Sequence, residues 1–190
     1  PVNRAYIWVG WLIILTAMFV QRPIHNFFPA LSAQAGISAL VVGLPLALHL
    51  ALQGLTAFVL FPIRNLLYRQ TSLWIFQGGC AALCLLTWLW PSFASSCLGI
   101  SLLGIYTGFA YFAAVFYASN SPRSAFNIGV NECLVGLGSF AGLFAVEGWM
   151  KQSGDLNAMF LVGALALLTS LLLQSACAGR SGKPRAPQAD

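Results

Sequence analysis

Hydrophobic residues fill 59% of this 190-residue chain and charged ones only 7%, whereas a soluble domain devotes about a quarter of its residues to charge. Water cannot be the main solvent of such a protein, and its repeated apolar runs suit an all-α membrane protein that crosses the bilayer on helices of about 20 residues. The runs are continuous rather than alternating, which excludes an outer-membrane barrel, and the net charge of +5 comes from scattered residues without interleaved aromatics, which argues against nucleic acid.

The chain opens at Pro1 without an initiator methionine or a cleavable leader, and is read as processed or as a fragment. Six spans are predicted, at residues 5–28, 38–60, 71–90, 97–119, 125–150 and 156–177, forming one six-helix bundle over residues 1–177. Residues 178–190, "AGRSGKPRAPQAD" from Ala178, are polar and proline-bearing and are expected to be a disordered tail.

The first span carries Arg22 and His25, the second His49 and Gln53. The third has little polar beyond Gln77, the fourth has Tyr106, Thr107 and Tyr111, and the fifth has Asn127, Asn131 and Glu132. The sixth is almost purely aliphatic from Ala158 to Leu168. Four decorated spans and two plain ones predict a bundle with the decorated helices inside, lining a solute path.

Basic residues set the orientation. Arg4, Arg64, Arg69, Arg123, Arg180, Lys183 and Arg185 fall on one side if the spans alternate, leaving Arg22 and Lys151 for the other, so both termini of the chain are expected in the cytoplasm of an inner or plasma membrane. Trp88, Trp90 and Trp149 lie near predicted outer ends, where amphipathic rings favour the headgroup layer. The five cysteines fall in or beside apolar segments, form no CxxC and read as small core residues, with no metal site or cofactor expected.

Glu132 is one of four acidic residues and lies about seven residues into the fifth span, roughly 10 Å along the helix. A carboxylate at such depth usually faces a bundle interior or a water-filled path. Three readings stand: a proton-coupling group, a hydrogen bond or ion pair through Tyr117 or Arg123 that fixes or gates spans four and five, or an exposed residue on a span whose limits are misdrawn. Gly138 and Gly142 share a face four residues apart, as close helix packing requires.

His49 lies about 11 residues into the second span, roughly 16 Å deep, with Gln53 one turn on. The pair is either a solute contact or a neutral histidine satisfied by a neighbouring helix. Arg22 either snorkels to the outer headgroups or faces the cavity to bind an anionic group or close the outer gate. Tyr106 and Tyr111 are cavity or packing residues, Asn131 belongs with Glu132 on the solute path, and Glu147 with Lys151 is expected as a solvated i,i+4 pair. Ser139 lacks a histidine downstream and no other catalytic spacing appears, so no enzyme is expected.

The "FPIRNLLYRQ" turn after span two, the "YFAAVFYASNSPRS" end of span four, and the run Gly129, Glu132, Gly136, Gly138, Gly142 together resemble the C-terminal half of major facilitator superfamily (MFS) transporters, closest to uncharacterised bacterial members. The resemblance covers Ala5 to about Cys177 as helices seven to twelve of a twelve-helix fold. The family's Gly-Arg-Arg loop pattern is reduced here to Arg64 and Arg69. It implies a partner, the missing N-terminal six-helix half, related by an axis along the membrane normal, with solute bound between the halves near the midplane. It also implies secondary transport of a small solute by alternating access, with protons as a candidate coupling ion and Arg64, Arg69, Arg123 and the glycines in packing and gating. The alternative is a six-helix membrane scaffold or self-associating membrane protein without transport.

Overall fold

A computed structural model describes residues 4–155 and 157–179; of the tail predicted at 178–190, Ala178 and Gly179 continue the last helix and residues 180–190 lie outside the described residues. Among the described residues the chain is helical without strands. Six helices are long and apolar enough to cross a membrane. They are α1 (Arg4–Gln34), α2 (Ala39–Leu60), α3 (Gln70–Leu89), α4 (Phe93–Ser119), α5 (Ser124–Ser153) and α6 (Ala158–Gly179).

Local chemistry sets most helix ends. α1 runs through Pro23 and Pro29 and stops at Gly36, whose φ of 74° turns the chain while Ile37 N–H reaches back to Ser32 O. α4 starts at Phe93, ahead of the expected 97, because Ser92 and Ser95 form a capping box: each hydroxyl accepts the other's backbone N–H. Gly154, at φ 68°, ends α5 by donating to Met150 O. Within α3 the turn Trp74–Gly78 widens to a π-helix, placing Phe76 flat on Phe109 with ring centroids 4.4 Å apart.

The packing has a pattern. α2 makes its largest contact with α4 and α5 with α1, α1 packs on α4, α3 on α6, and α6 and α3 each flank one of the central pair. Exchanging α1 with α4, α2 with α5 and α3 with α6 leaves that list of pairs unchanged. The chain is therefore two three-helix units, each lending its second helix to the other's first. Because successive helices alternate in direction, the two units are inverted with respect to one another.

Glycine makes both swapped contacts close. A Cβ on Gly104 or Gly108 of α4 would strike the carbonyl of His49 or Gln53 on α2, and one on Gly138 or Gly142 of α5 would strike that of Leu15 or Phe19 on α1. Gly129 and Gly136 differ, since among the described residues no atom of another helix lies within 4 Å of a Cβ at either position.

Burial also departs from the expected arrangement. In the most apolar stretch of each helix, 61% of α1 and 67% of α4 is buried, against 17% for both α2 and α5. Two decorated helices thus form the centre and the other two lie at an open side. The plain pair, α3 and α6, is not plain in contact either: Gln77 donates to Leu167 O at 2.9 Å, and Gln174, Ser170 and Thr16 form a chain of 2.7 Å hydrogen bonds. Cys80 and Cys84 are buried, but Cys133 is exposed on α5.

At the end carrying Arg4, Arg64, Arg69 and Arg123, a 3-10 turn (Arg64–Tyr68) is tied down by tyrosines. Tyr6 donates to Tyr68 O at 2.9 Å and buried Tyr117 donates to Leu67 O. Tyr117→Phe should cost about 1 kcal/mol of unfolding free energy and loosen this turn. Denaturant titration together with proteolysis between Ile63 and Arg69 checks it. At the opposite end Trp88 Nε1 donates to Asp155 Oδ2 at 2.8 Å, and Lys151 pairs with Glu147 at 2.7 Å on an exposed face.

Candidate functional site

His49 is fully buried, and its surroundings fix its protonation geometry. Its Nδ1 lies 2.9 Å from Ile100 O; a carbonyl can only accept, so the proton sits on Nδ1 and Nε2 is left as an acceptor. Gln21 Nε2 approaches that atom at 3.0 Å and Thr107 Oγ1 at 3.3 Å. The same Gln21 amide donates to Gln53 Oε1 at 3.4 Å. Three helices, α1, α2 and α4, thereby meet on one imidazole. The close approach at Gly104 and Gly108 lets α2 bring His49 that near to Ile100 and Thr107.

His25, one turn beyond Gln21 on α1, sets its ring edge-on to His49 with centroids 4.6 Å apart and planes at 78°. Two buried atoms in this cluster, Gln21 Oε1 and His25 Nε2, have no hydrogen-bond partner. One is an acceptor, and the other can donate or accept according to tautomer. Both can be satisfied by a small hydroxylated or amide-bearing group, or by water.

Arg22, Tyr111 and Glu132 occupy the more open side. Tyr111 donates to Met18 Sδ at 3.1 Å and lies within the electrostatic reach of both Arg22 and Glu132. Arg22 and Glu132 are exposed, and neither makes an ion pair among the described residues. The expected tie from Glu132 to Tyr117 or Arg123 is absent, because Tyr117 is committed to Leu67 and Arg123 is exposed at the helix start. Gly129, Glu132 and Gly136 are exposed and recur at three- and four-residue spacing, so they share one uncovered face of α5.

Other candidates fall elsewhere. Tyr106 is buried facing α3, beside Cys80 and Phe76, with no partner for its hydroxyl, and so is not part of the His49 cluster. Asn131 donates to Ala114 O at 3.0 Å and fastens α5 to α4. Arg64 and Arg69 are exposed at the turn after α2.

Sequence reasoning missed Gln21, Gly104 and Gly108. Gln21 was masked by charged Arg22 beside it, yet its four-residue spacing from His25 already placed the two on one face. The Gly104-x-x-x-Gly108 spacing was as legible as that of Gly138 and Gly142. Comparisons with protein-family models, with curated proteins and with solved structures find no match for this chain.

Proposed function

We propose that this chain is half of a secondary transporter of the MFS type, moving a small solute across a membrane by alternating access against a second six-helix half. The observation that carries the reading is the pair of uncovered charges within apolar helices. Glu132 lies eight residues past Ser124, roughly 12 Å along α5, and Arg22 lies in α1. A charge facing lipid at depth costs about 2.5–3.5 kcal/mol, so in a bilayer both require a partner or a water-filled path on the side left open by α2 and α5.

Two further features support it. The inverted pair of three-helix units is the internal organisation expected of one half of such a transporter. The polar cluster draws on α1, α2 and α4, and the uncovered charges Arg22 and Glu132 belong to α1 and α5. In this reading Gln21, His25 and Gln53 contact solute, His49 positions Gln21, Arg22 attracts an anionic group, and Glu132 carries the coupled proton. Arg64, Arg69 and Arg123 face the cytoplasm, and no bond-making step is assigned to the chain.

Glu132→Gln is expected to lower solute-driven proton movement at least about tenfold while leaving the protein folded in the membrane. The assay is the pH change in vesicles carrying the full coding product, challenged with panels of sugars, organic acids and cationic drugs. Flux equal to wild type across pH 5.5 to about 8 would remove Glu132 from coupling.

The exposed apolar residues of α2 and α5, among them Leu44, Leu55, Phe58, Phe140 and Phe144, favour a second reading in which another copy covers this side and no solute moves. Cross-linking from a cysteine placed at position 136 separates the two. Capture of a different six-helix segment supports the transporter; capture of the same position in a second copy supports self-association.

A further inference from the structure

The end of the bundle that carries the arginines holds a cleft of about 540 Å³ between α1 and the start of α5. Arg4 and Arg123 stand at it, Trp8, Trp11 and Phe126 form its wall, and it is distinct from the His49 cluster. Trp8 and Trp11 meet edge to face with centroids 4.8 Å apart. Trp11 Nε1 is buried and has no hydrogen-bond acceptor. Neither arginine is paired with a carboxylate among the described residues, and the Asn127 amide at the cleft is already given to Ser121 at 2.6 Å. The cleft therefore offers two free cations and an aromatic wall, with an unused N–H donor buried within that wall and no acid among the described residues to satisfy them.

A free phosphate would use the cations and leave the aromatic wall bare, whereas an amphiphile with an anionic head uses both. Guanidinium groups match phosphate oxygens, and tryptophan N–H groups favour the headgroup layer. We propose that the cleft binds one anionic phospholipid, its phosphate held by Arg4 and Arg123, Trp11 Nε1–H donating to a headgroup oxygen, and an acyl chain lying along Trp8 and Phe126. The site rests on the membrane reading above, since it is the leaflet at this end that supplies the lipid.

The test is native mass spectrometry of the full coding product released from membranes and exchanged into nanodiscs of phosphatidylglycerol and phosphatidylcholine in equal parts. Wild type is expected to retain one phosphatidylglycerol in preference to phosphatidylcholine. Retention should fall about fivefold for each arginine replaced in Arg4→Gln and Arg123→Gln. Trp11→Phe, which keeps a ring and removes the donor, should lower it about threefold. Arg64→Gln with Arg69→Gln, which removes as much charge from the same end, should leave retention unchanged. Equal loss in that control, equal retention of the two lipids, or displacement by millimolar inorganic phosphate would each overturn the site. If the arginine variants fail to fold, Trp11→Phe decides, and retention equal to wild type overturns it. A protein recovered from the soluble fraction would reject the membrane reading itself, whereas a bilayer-embedded protein without lipid preference rejects only this site.

Discussion

Gly104→Leu combined with Gly108→Leu is expected to detach α2 from α4 and cost about 3 kcal/mol or more. The obstacle is backbone: the added Cβ atoms meet the His49 and Gln53 carbonyls, which belong to a helix and cannot rotate away. A lysine or leucine side chain in the way would swing aside; a carbonyl in a hydrogen-bonded ladder moves only with its helix. Because α2 has little other packing, the helix has nowhere else to hold. The matched control is Gly129→Leu with Gly136→Leu, where open space receives the new side chains. Unfolding followed by far-ultraviolet dichroism in a denaturing-detergent titration should show the first pair strongly destabilised and the second near wild type. Equal stability of both would mean that α2 is not held by these contacts. In the transporter reading the control pair has its own signature, since the two introduced leucine side chains would obstruct the second half and abolish transport in a fully folded protein.

The second large effect is expected at His49. His49→Ala removes a donor to Ile100 O and the acceptor shared by Gln21 and Thr107, and should cost about 2–3 kcal/mol, because buried groups on three helices lose their common partner. Thr107→Val should cost less than about 1 kcal/mol, since His49 keeps Gln21. Gln53→Ala breaks only the 3.4 Å contact to Gln21 and should leave stability nearly unchanged. That ordering, read from the same titration, tests the imidazole as the hub of the cluster. A His49→Ala protein as stable as Gln53→Ala would show that the helices are held without it. If solute binds here, Gln53→Ala is the informative variant for function: apparent affinity should weaken about tenfold with folding intact, whereas any change in His49→Ala carries a structural component.

The location of Glu132 in the sequence and in space illustrates the division between local and tertiary information. Its position within an apolar run was legible, because hydropathy is a property of consecutive residues. Its lack of a partner was not, because that depends on Tyr117 turning to Leu67 and on Arg123 remaining exposed at the helix start. The glycines divide in the same way. One run holds Gly129, Gly136, Gly138 and Gly142, yet only the last two meet α1, since a 3.6-residue period sends the first two to a different face.

The sequence by itself determined the number, order and approximate limits of the apolar helices, and the presence of polar residues within them. Those features follow from run length, from glycine at Gly36 and Gly154, and from serine pairs such as Ser92 and Ser95, all of which act within a few residues. Only the tertiary structure decided that α2 packs on α4 and α5 on α1, that His49 rather than Tyr106 joins the polar cluster, and that Gln21 holds it to Gln53. Helices of equal apolarity carry no signal of which neighbour they choose. The choice is made by close backbone approach at a few glycines and by the pairing of buried polar atoms, and both are properties of two helices at once.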